Sequence, residues 1–164
     1  MNTARTVFIT VLAVTVLLIL VTVPQLPPVV ASHFGADNLP NGAMTRDGYR
    51  NFMLLFVIAV PLLASLPLGW LPARFPETLN IPNRDYWLAP EHRKASLQFL
   101  RDQGDRLATL LVVFMGLVHF TLIKANSTQP AQLPVTLFFS VLLAFLVGMG
   151  WWAYRLTSHF RKPS

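Results

Sequence analysis

Between two long apolar stretches the sequence reads "PQLPPVVASHFGADNLPNGAMTRDGYRN", from Pro24 to Asn51. His33, Asp37, Asn38, Asn41 and Arg46 bring an imidazole, a carboxylate, two amides and a guanidinium into one short segment. Such groups could coordinate a metal, move a proton, or grip a ligand by charge and hydrogen bonds. A zinc site uses three or four protein ligands, and His33 with Asp37 supplies two. The chain has no cysteine, so no thiolate ligand or nucleophile is present. Two readings stay open. In one the segment is a recognition surface, with His33 and Asp37 facing a partner and Phe34, Asn41 and Arg46 around them. In the other it is a compact cap whose amides satisfy its own backbone. Turn chemistry supports the second: Pro27-Pro28 makes a stiff exit, Gly35 and Gly42 are expected at positive φ, Asn38 tolerates it, and Asn41-Gly42 is a tight-turn pair.

A second polar cluster lies in "NIPNRDYWLAPEHR". Asn83, Arg84, Asp85, Tyr86 and Trp87 suit contact with a cytoplasmic partner or a lipid headgroup. Arg84 either pairs with Asp85 or holds a phosphate, and Tyr86 and Trp87 are expected to anchor the segment at the interface. Glu91 and His92 resemble an acid–base pair, but adjacent helical side chains point roughly 100° apart, which is unsuited to one reaction centre. His119 is the one ionisable residue inside an apolar run, and such residues are costly in lipid and often functional. Lys124 lies about a turn and a half further on, which places His119 near a membrane surface, neutral and hydrogen-bonded, within possible reach of His33.

These groups are positioned by elements that the composition identifies. Hydrophobic residues make up 54% of the 164 and charged residues 12%, with a mean hydropathy of +0.52. Disordered and coiled-coil classes are excluded. Four runs lack Asp, Glu, Lys and Arg: Thr6 to Val23, Phe52 to Leu71, Leu107 to Ile123 and Leu133 to Tyr154. As helices they measure roughly 26–33 Å, enough to cross a hydrocarbon layer about 30 Å thick. None shows the polar stripe of a soluble bundle helix. The first run, after "MNTAR", also has some signal-peptide character, but its apolar core is long and prolines precede Ala31, so a retained helix is expected.

The net charge of +6 invites a nucleic-acid reading until the cations are placed. Ten of the thirteen Lys and Arg fall on one side of a four-span arrangement, and only Arg46, Arg50 and Lys124 on the other. The basic side is expected to face the cytoplasm, with both termini inside and the Pro24–Asn51 segment outside. The charge therefore reads as topology, with anionic lipid contact as an accompaniment.

Local signals refine the elements. Thr45 is expected to cap span two, with Asp47 in the first turn complementing the helix dipole. Pro61 and Pro67 each remove a backbone bond and predict kinks. Pro90 followed by Glu91 marks a helix start, from which "EHRKASLQFLRDQGDRLATLL" runs uninterrupted into span three, with Gly104 as the expected bend. Leu97, Phe99 and Leu100 are expected to face membrane or protein, while Arg93, Lys94 and Arg101 face water or headgroups. Trp70, Trp87, Trp151, Trp152 and Tyr154 fall at expected water–lipid boundaries. No matching breaks of the inverted-repeat kind appear in the two halves.

The stretch "LPPVVASHFGADNLPNGAMTR" resembles the outer-loop signature of the bacterial membrane-protein family called domain of unknown function 1648. Leu26-Pro27, His33-Phe34, Pro40 and Thr45-Arg46 carry the resemblance, with Asn38 where Gly is usual. "NIPNRDYWLAPEHR" is similar to the cytoplasmic loop of short members. The resemblance implies kinship with the domain of the immunity protein in the sporulation-delaying toxin system, which protects against a toxin peptide and, when engaged, sequesters a repressor.

The sequence thus predicts an all-α integral membrane protein, one domain over residues 1–164 with four transmembrane helices, an ordered outer loop and a cytoplasmic helix extending span three. The expected role is a non-enzymatic binding, sensor or immunity-type protein of the bacterial inner membrane. It would need no metal or other cofactor, and its partners would be the lipid bilayer and an extracellular peptide or a cytoplasmic regulator rather than nucleic acid. The alternative is a small transporter, or an accessory subunit of one, using the kinked span two and His119. A transporter would need buried polar residues along several spans, and only His119 with scattered Ser and Thr is present.

Overall fold

The computed structural model describes residues 2–161; Lys162 and Ser164, assigned by the charge count to the basic side, lie outside them. Helix α1 (Thr3–Thr22) starts at the Asn2 side chain, which accepts from the Arg5 N–H at 2.9 Å, and it gives way to a 3-10 turn over Val23–Gln25 where the prolines begin. Two strands follow, β1 (Val29–Phe34) and β2 (Pro40–Thr45). Then come α2 (Arg46–Arg74), a 3-10 turn at Pro76–Thr78, the single turn α3 (Arg84–Trp87), α4 (Pro90–Asn126) and α5 (Val135–Arg161).

The four long helices match the four predicted spans, with α1 ending one residue earlier and α5 starting two residues later than expected, and each is long and apolar enough to cross a membrane. Local start signals hold. The Thr45 hydroxyl accepts from the Gly48 N–H at 3.1 Å, Asp47 sits in the first turn of α2 and pairs with Arg50 at 3.1 Å. Pro90 opens α4, which continues unbroken into the apolar run. Helix α2 accommodates Pro61, Pro67 and a third proline, Pro72, as one element.

Helix α4 is the centre of the bundle and packs against the other three. Asn2 meets Asp102, Thr15 meets Gly116 and Thr22 meets His119, so α1 and α4 run parallel. Tyr49 meets His119 while Ser65 meets Gly104, so α2 runs antiparallel to α4. Phe145 stacks on Phe114 and Trp152 reaches Gln103, which makes α5 antiparallel as well. Helix α1 therefore begins, and α5 ends, at the same end of the bundle. At the other end lies the hairpin.

Gly104 proves to be a contact rather than a break. A Cβ there would lie 3.2 Å from the Ser65 carbonyl oxygen, so glycine lets α2 and α4 approach closely in mid-helix. The interior contains Ile19, Val23, Val30, Tyr49, Met53, Val57, Ala108 and Val112, and a smaller cluster of Trp87, Leu100 and Phe160 closes the end opposite the hairpin. Leu17, Leu55, Leu63, Leu143 and Val147 are each at least 60% exposed on the bundle exterior. Water would oppose so many bare aliphatic side chains, whereas lipid accepts them. The chain is built as a multi-pass membrane protein.

The all-α expectation needs one correction. The segment after α1 is an antiparallel β-hairpin, with Val30 opposite Met44 and Ala31 opposite Ala43. The Val29-Val30 pair favours a strand, and the five residues Gly35–Leu39 reverse the chain. The turn chemistry also differs from expectation: no glycine has positive φ, and Asn38 takes the left-handed position at φ 63°. Asn tolerates that region because its short amide bonds locally. Asn41-Gly42 forms no turn but belongs to β2, where Gly42 makes room for the His33 ring: a Cβ would sit 3.1 Å from His33 Nδ1.

Candidate functional site

The hairpin is fastened to the helices by side chains from three directions. Asn126, in the last turn of α4, donates from Nδ2 to the Ala31 carbonyl at 3.0 Å and accepts from the Ala31 N–H at 2.8 Å. Asn38, at the hairpin tip, accepts from the Leu133 N–H at 3.0 Å, just before α5. Arg46 turns inward, and its Nη1 donates to the carbonyls of Pro24 at 3.1 Å and Leu26 at 3.2 Å. It thereby satisfies oxygens left free where α1 ends.

The ladder explains why Asn126 chooses Ala31. Arg46 N–H bonds the Pro28 carbonyl at 2.9 Å, and antiparallel pairs alternate between hydrogen-bonded and non-hydrogen-bonded. Two residues on, Val30 faces Met44 in a bonded pair; the peptide groups of Ala31 and Ala43, next along, point away from the partner strand. Those of Ala31 find Asn126. Those of exposed Ala43, on the free edge of β2, have no partner among the described residues.

The predicted outer-loop residues separate into two groups. His33, Asp37 and Asn41 are exposed, while Phe34 and Arg46 are half-buried. His33 Nδ1 lies 3.0 Å from Ser32 Oγ, and Asp37 accepts from the Leu39 N–H at 3.1 Å, closing a local turn. His33 and His119 have separate partners rather than one another.

His119 lies beneath the hairpin at 3% exposure, between Tyr49 and Thr22. Nδ1 is 2.8 Å from the Tyr49 hydroxyl, and Nε2 is 2.8 Å from Thr22 Oγ1. The Thr22 hydroxyl spends its one hydrogen on the Leu18 carbonyl at 2.6 Å. Its oxygen must therefore accept from Nε2–H, which leaves Nδ1 to accept from Tyr49. The assignment is a neutral imidazole with both nitrogens satisfied, joining α1, α2 and α4. It agrees with the expected placement near one end of the bundle.

At the opposite end the "NRDYW" cluster is also built into the protein. Asn83, left-handed at φ 53°, donates from Nδ2 to the carbonyls of Phe160 at 3.1 Å and Arg161 at 3.2 Å. Trp87 Nε1 donates to the Phe160 carbonyl at 3.2 Å. Trp87 is buried against His159 and Phe160 rather than anchored at a water–lipid boundary. Tyr86 stacks on His92 with centroids 4.2 Å apart. Asp85 is exposed, and no ion pair joins it to Arg84. Together these residues clamp the end of α5 to the start of α4.

Sequence reasoning missed the pair that joins α1 to α4. Arg5 Nε lies 3.0 and 3.1 Å from the two oxygens of Asp105, whose side chain is 4% exposed. Asn2 bonds Asp102, which also accepts from Gln98 at 2.6 Å. The available signal was "RDQGDR" at the start of span three beside "MNTAR" at the start of span one: parallel spans bring both to one level. Asn126 and Tyr49 gave no comparable signal. Among the described residues no three His, Asp or Glu side chains converge as a metal site. No family model, curated protein or solved structure matches the chain.

Proposed function

We propose that this multi-pass protein resides in a bacterial cytoplasmic membrane and recognises an extracytoplasmic peptide on its hairpin, in the manner of a sensor or immunity protein. The observation that carries the reading is the unused edge of β2. The hairpin is pinned by Asn126, Asn38 and Arg46, so it is preorganised, yet the Ala43 peptide groups have no partner among the described residues. An extended peptide adds naturally to such an edge through main-chain bonds. Exposed His33, Asp37 and Asn41 then supply side-chain selectivity. The resemblance to the family of domain of unknown function 1648, with its toxin-immunity member, supports a peptide as the ligand.

Orientation follows from charge. Among the described residues nine of twelve cations belong to the end opposite the hairpin, and the positive-inside bias then favours both termini in the cytoplasm and the hairpin outside. Exposed Asp85, Arg93, Lys94 and Arg101 offer the cytoplasmic contact surface. A transporter is less well supported. Between Asp105 and His119 the buried positions of α4 are Leu107, Ala108, Val112 and Met115, an apolar length of roughly 20 Å.

The test has two parts. Cysteines at Ala36 and Ser127 should react with a membrane-impermeant maleimide in intact cells, and one at Arg84 only after lysis. Ala43→Pro removes the outward N–H without breaking an internal bond. At unchanged protein level it should abolish protection of expressing cells against secreted toxin peptides, and His33→Ala should weaken it. Protection that survives Ala43→Pro, or labelling of Arg84 from outside, would defeat the reading.

A further inference from the structure

At the end opposite the hairpin, α1 and α5 flank α4 and pack mainly on it rather than on each other. The gap between them is a cleft of about 450 Å³. Its wall is sorted by polarity. Gln103, Arg106 and Leu110 follow one another along one face of α4, while Arg155 and Gly148 face them from antiparallel α5. Arg155 stands near the level of Gln103, and Gly148 near that of Leu110, which its missing side chain leaves uncovered. The charged groups thus occupy the outer end of the cleft, and Val7, Leu110 and Gly148 line its deeper part.

Neither arginine is neutralised by a described residue. Asp105 is taken by Arg5 and Asp102 by Asn2 and Gln98, and among the described residues no carboxylate pairs with Arg106 or Arg155. A second observation points to a ligand. Gln103 is 1% exposed, lines this cleft, and its side-chain Nε2 is buried with no acceptor. Buried amide donors are almost always satisfied, so an orphan beside two free guanidinium groups implies an acceptor from outside the chain. The Gln103 carbonyl meanwhile accepts from Trp152 Nε1 at 3.0 Å, which holds the indole as one wall.

Two guanidinium groups and an amide N–H form a donor-only site for an anion, and phosphate, whose oxygens accept, fits that chemistry. The apolar continuation toward the bundle centre chooses among phosphates. We propose that the cleft binds an anionic phospholipid, its phosphate held by Arg106, Arg155 and Gln103 and an acyl chain laid over Gly148 against Val7 and Leu110. Basic pockets between spans are the usual setting for anionic headgroups. This inference is independent of what the hairpin binds.

The full-length protein in detergent is incubated in parallel with phosphatidylglycerol, phosphatidylcholine and inorganic phosphate, and retained ligand is read by native mass spectrometry. Phosphatidylglycerol should be retained, phosphatidylcholine should be held at least tenfold less, and inorganic phosphate should not displace the lipid. Arg106→Gln with Arg155→Gln should cut retention about tenfold or more, and the corresponding Lys pair should recover part of it. A photoactivatable phosphatidylglycerol on the unaltered protein should label Val7, Leu110 and Trp151, which keeps the test valid if the Gln variant fails to fold. Equal retention of the two lipids, displacement by inorganic phosphate, or label spread evenly around the bundle would each overturn the assignment.

Discussion

The ion pair between Arg5 and Asp105 should respond asymmetrically to loss of its two members. The Asp105 side chain is 4% exposed and the Arg5 side chain 44% exposed, with Nε 3.0 Å from the nearer oxygen. Arg5→Met keeps much of the apolar stem but leaves a carboxylate in the α1–α4 seam with no other donor among the described residues. Stranding a fully buried charge costs about 3–5 kcal/mol. Water reaches this pair from the arginine side, so the expected loss is about 2–4 kcal/mol. Asp105→Asn strands no charge, because the guanidinium turns toward water, and should cost about 1–2 kcal/mol for the buried amide N–H groups it introduces. The double variant should recover part of the Arg5→Met loss, a coupling of about 1–3 kcal/mol. Reversible unfolding of the four proteins in mixed micelles, followed by helical circular dichroism, measures all the terms. If Asp105→Asn proves as damaging as Arg5→Met, the burial argument fails, and the pair acts instead as a symmetric or purely surface contact.

Two further outcomes concern the hairpin end. Asn126→Leu leaves both peptide groups of Ala31, a residue 9% exposed, without partners. It should cost about 1–3 kcal/mol and expose the Gly35–Leu39 turn to protease while helix content stays constant; unchanged protease resistance would mean that Asn38 and Arg46 suffice as anchors. His119→Ala strands the Tyr49 hydroxyl and opens a cavity, at about 2–4 kcal/mol in the same unfolding assay. Adding Tyr49→Phe should return part of that loss, whereas adding His33→Ala should be additive within about 0.5 kcal/mol, since the two histidines have separate partners.

The four spans, the cap at Thr45 and the start at Pro90 were legible in the sequence because each depends on groups a few residues apart. Apolar run length decides a span, a hydroxyl three residues before an N–H decides a cap, and a missing N–H decides a helix start. Asn38 as a residue able to take positive φ was legible on the same ground. Its two glycine neighbours misled, because whether Gly35 or Gly42 uses its freedom depends on what packs over it. His33 lies over Gly42, and only strand pairing brings them together. The hairpin itself was hidden, since six strand residues at Pro40–Thr45 carry a turn-rich composition and gain their strand form from the partner strand, which Asn126 holds through Ala31, 95 positions away. His119 was visible as a buried ionisable group, but its hydrogen-bond partners, 70 and 97 positions away, were not. The same holds for Trp87, whose aromatic character suited a membrane boundary until the end of α5 folded over it. Sequence alone determined the helices, because their free energies are local; the tertiary structure decided the hairpin and which polar groups meet, because those free energies belong to pairs that only the packed chain brings within hydrogen-bond reach.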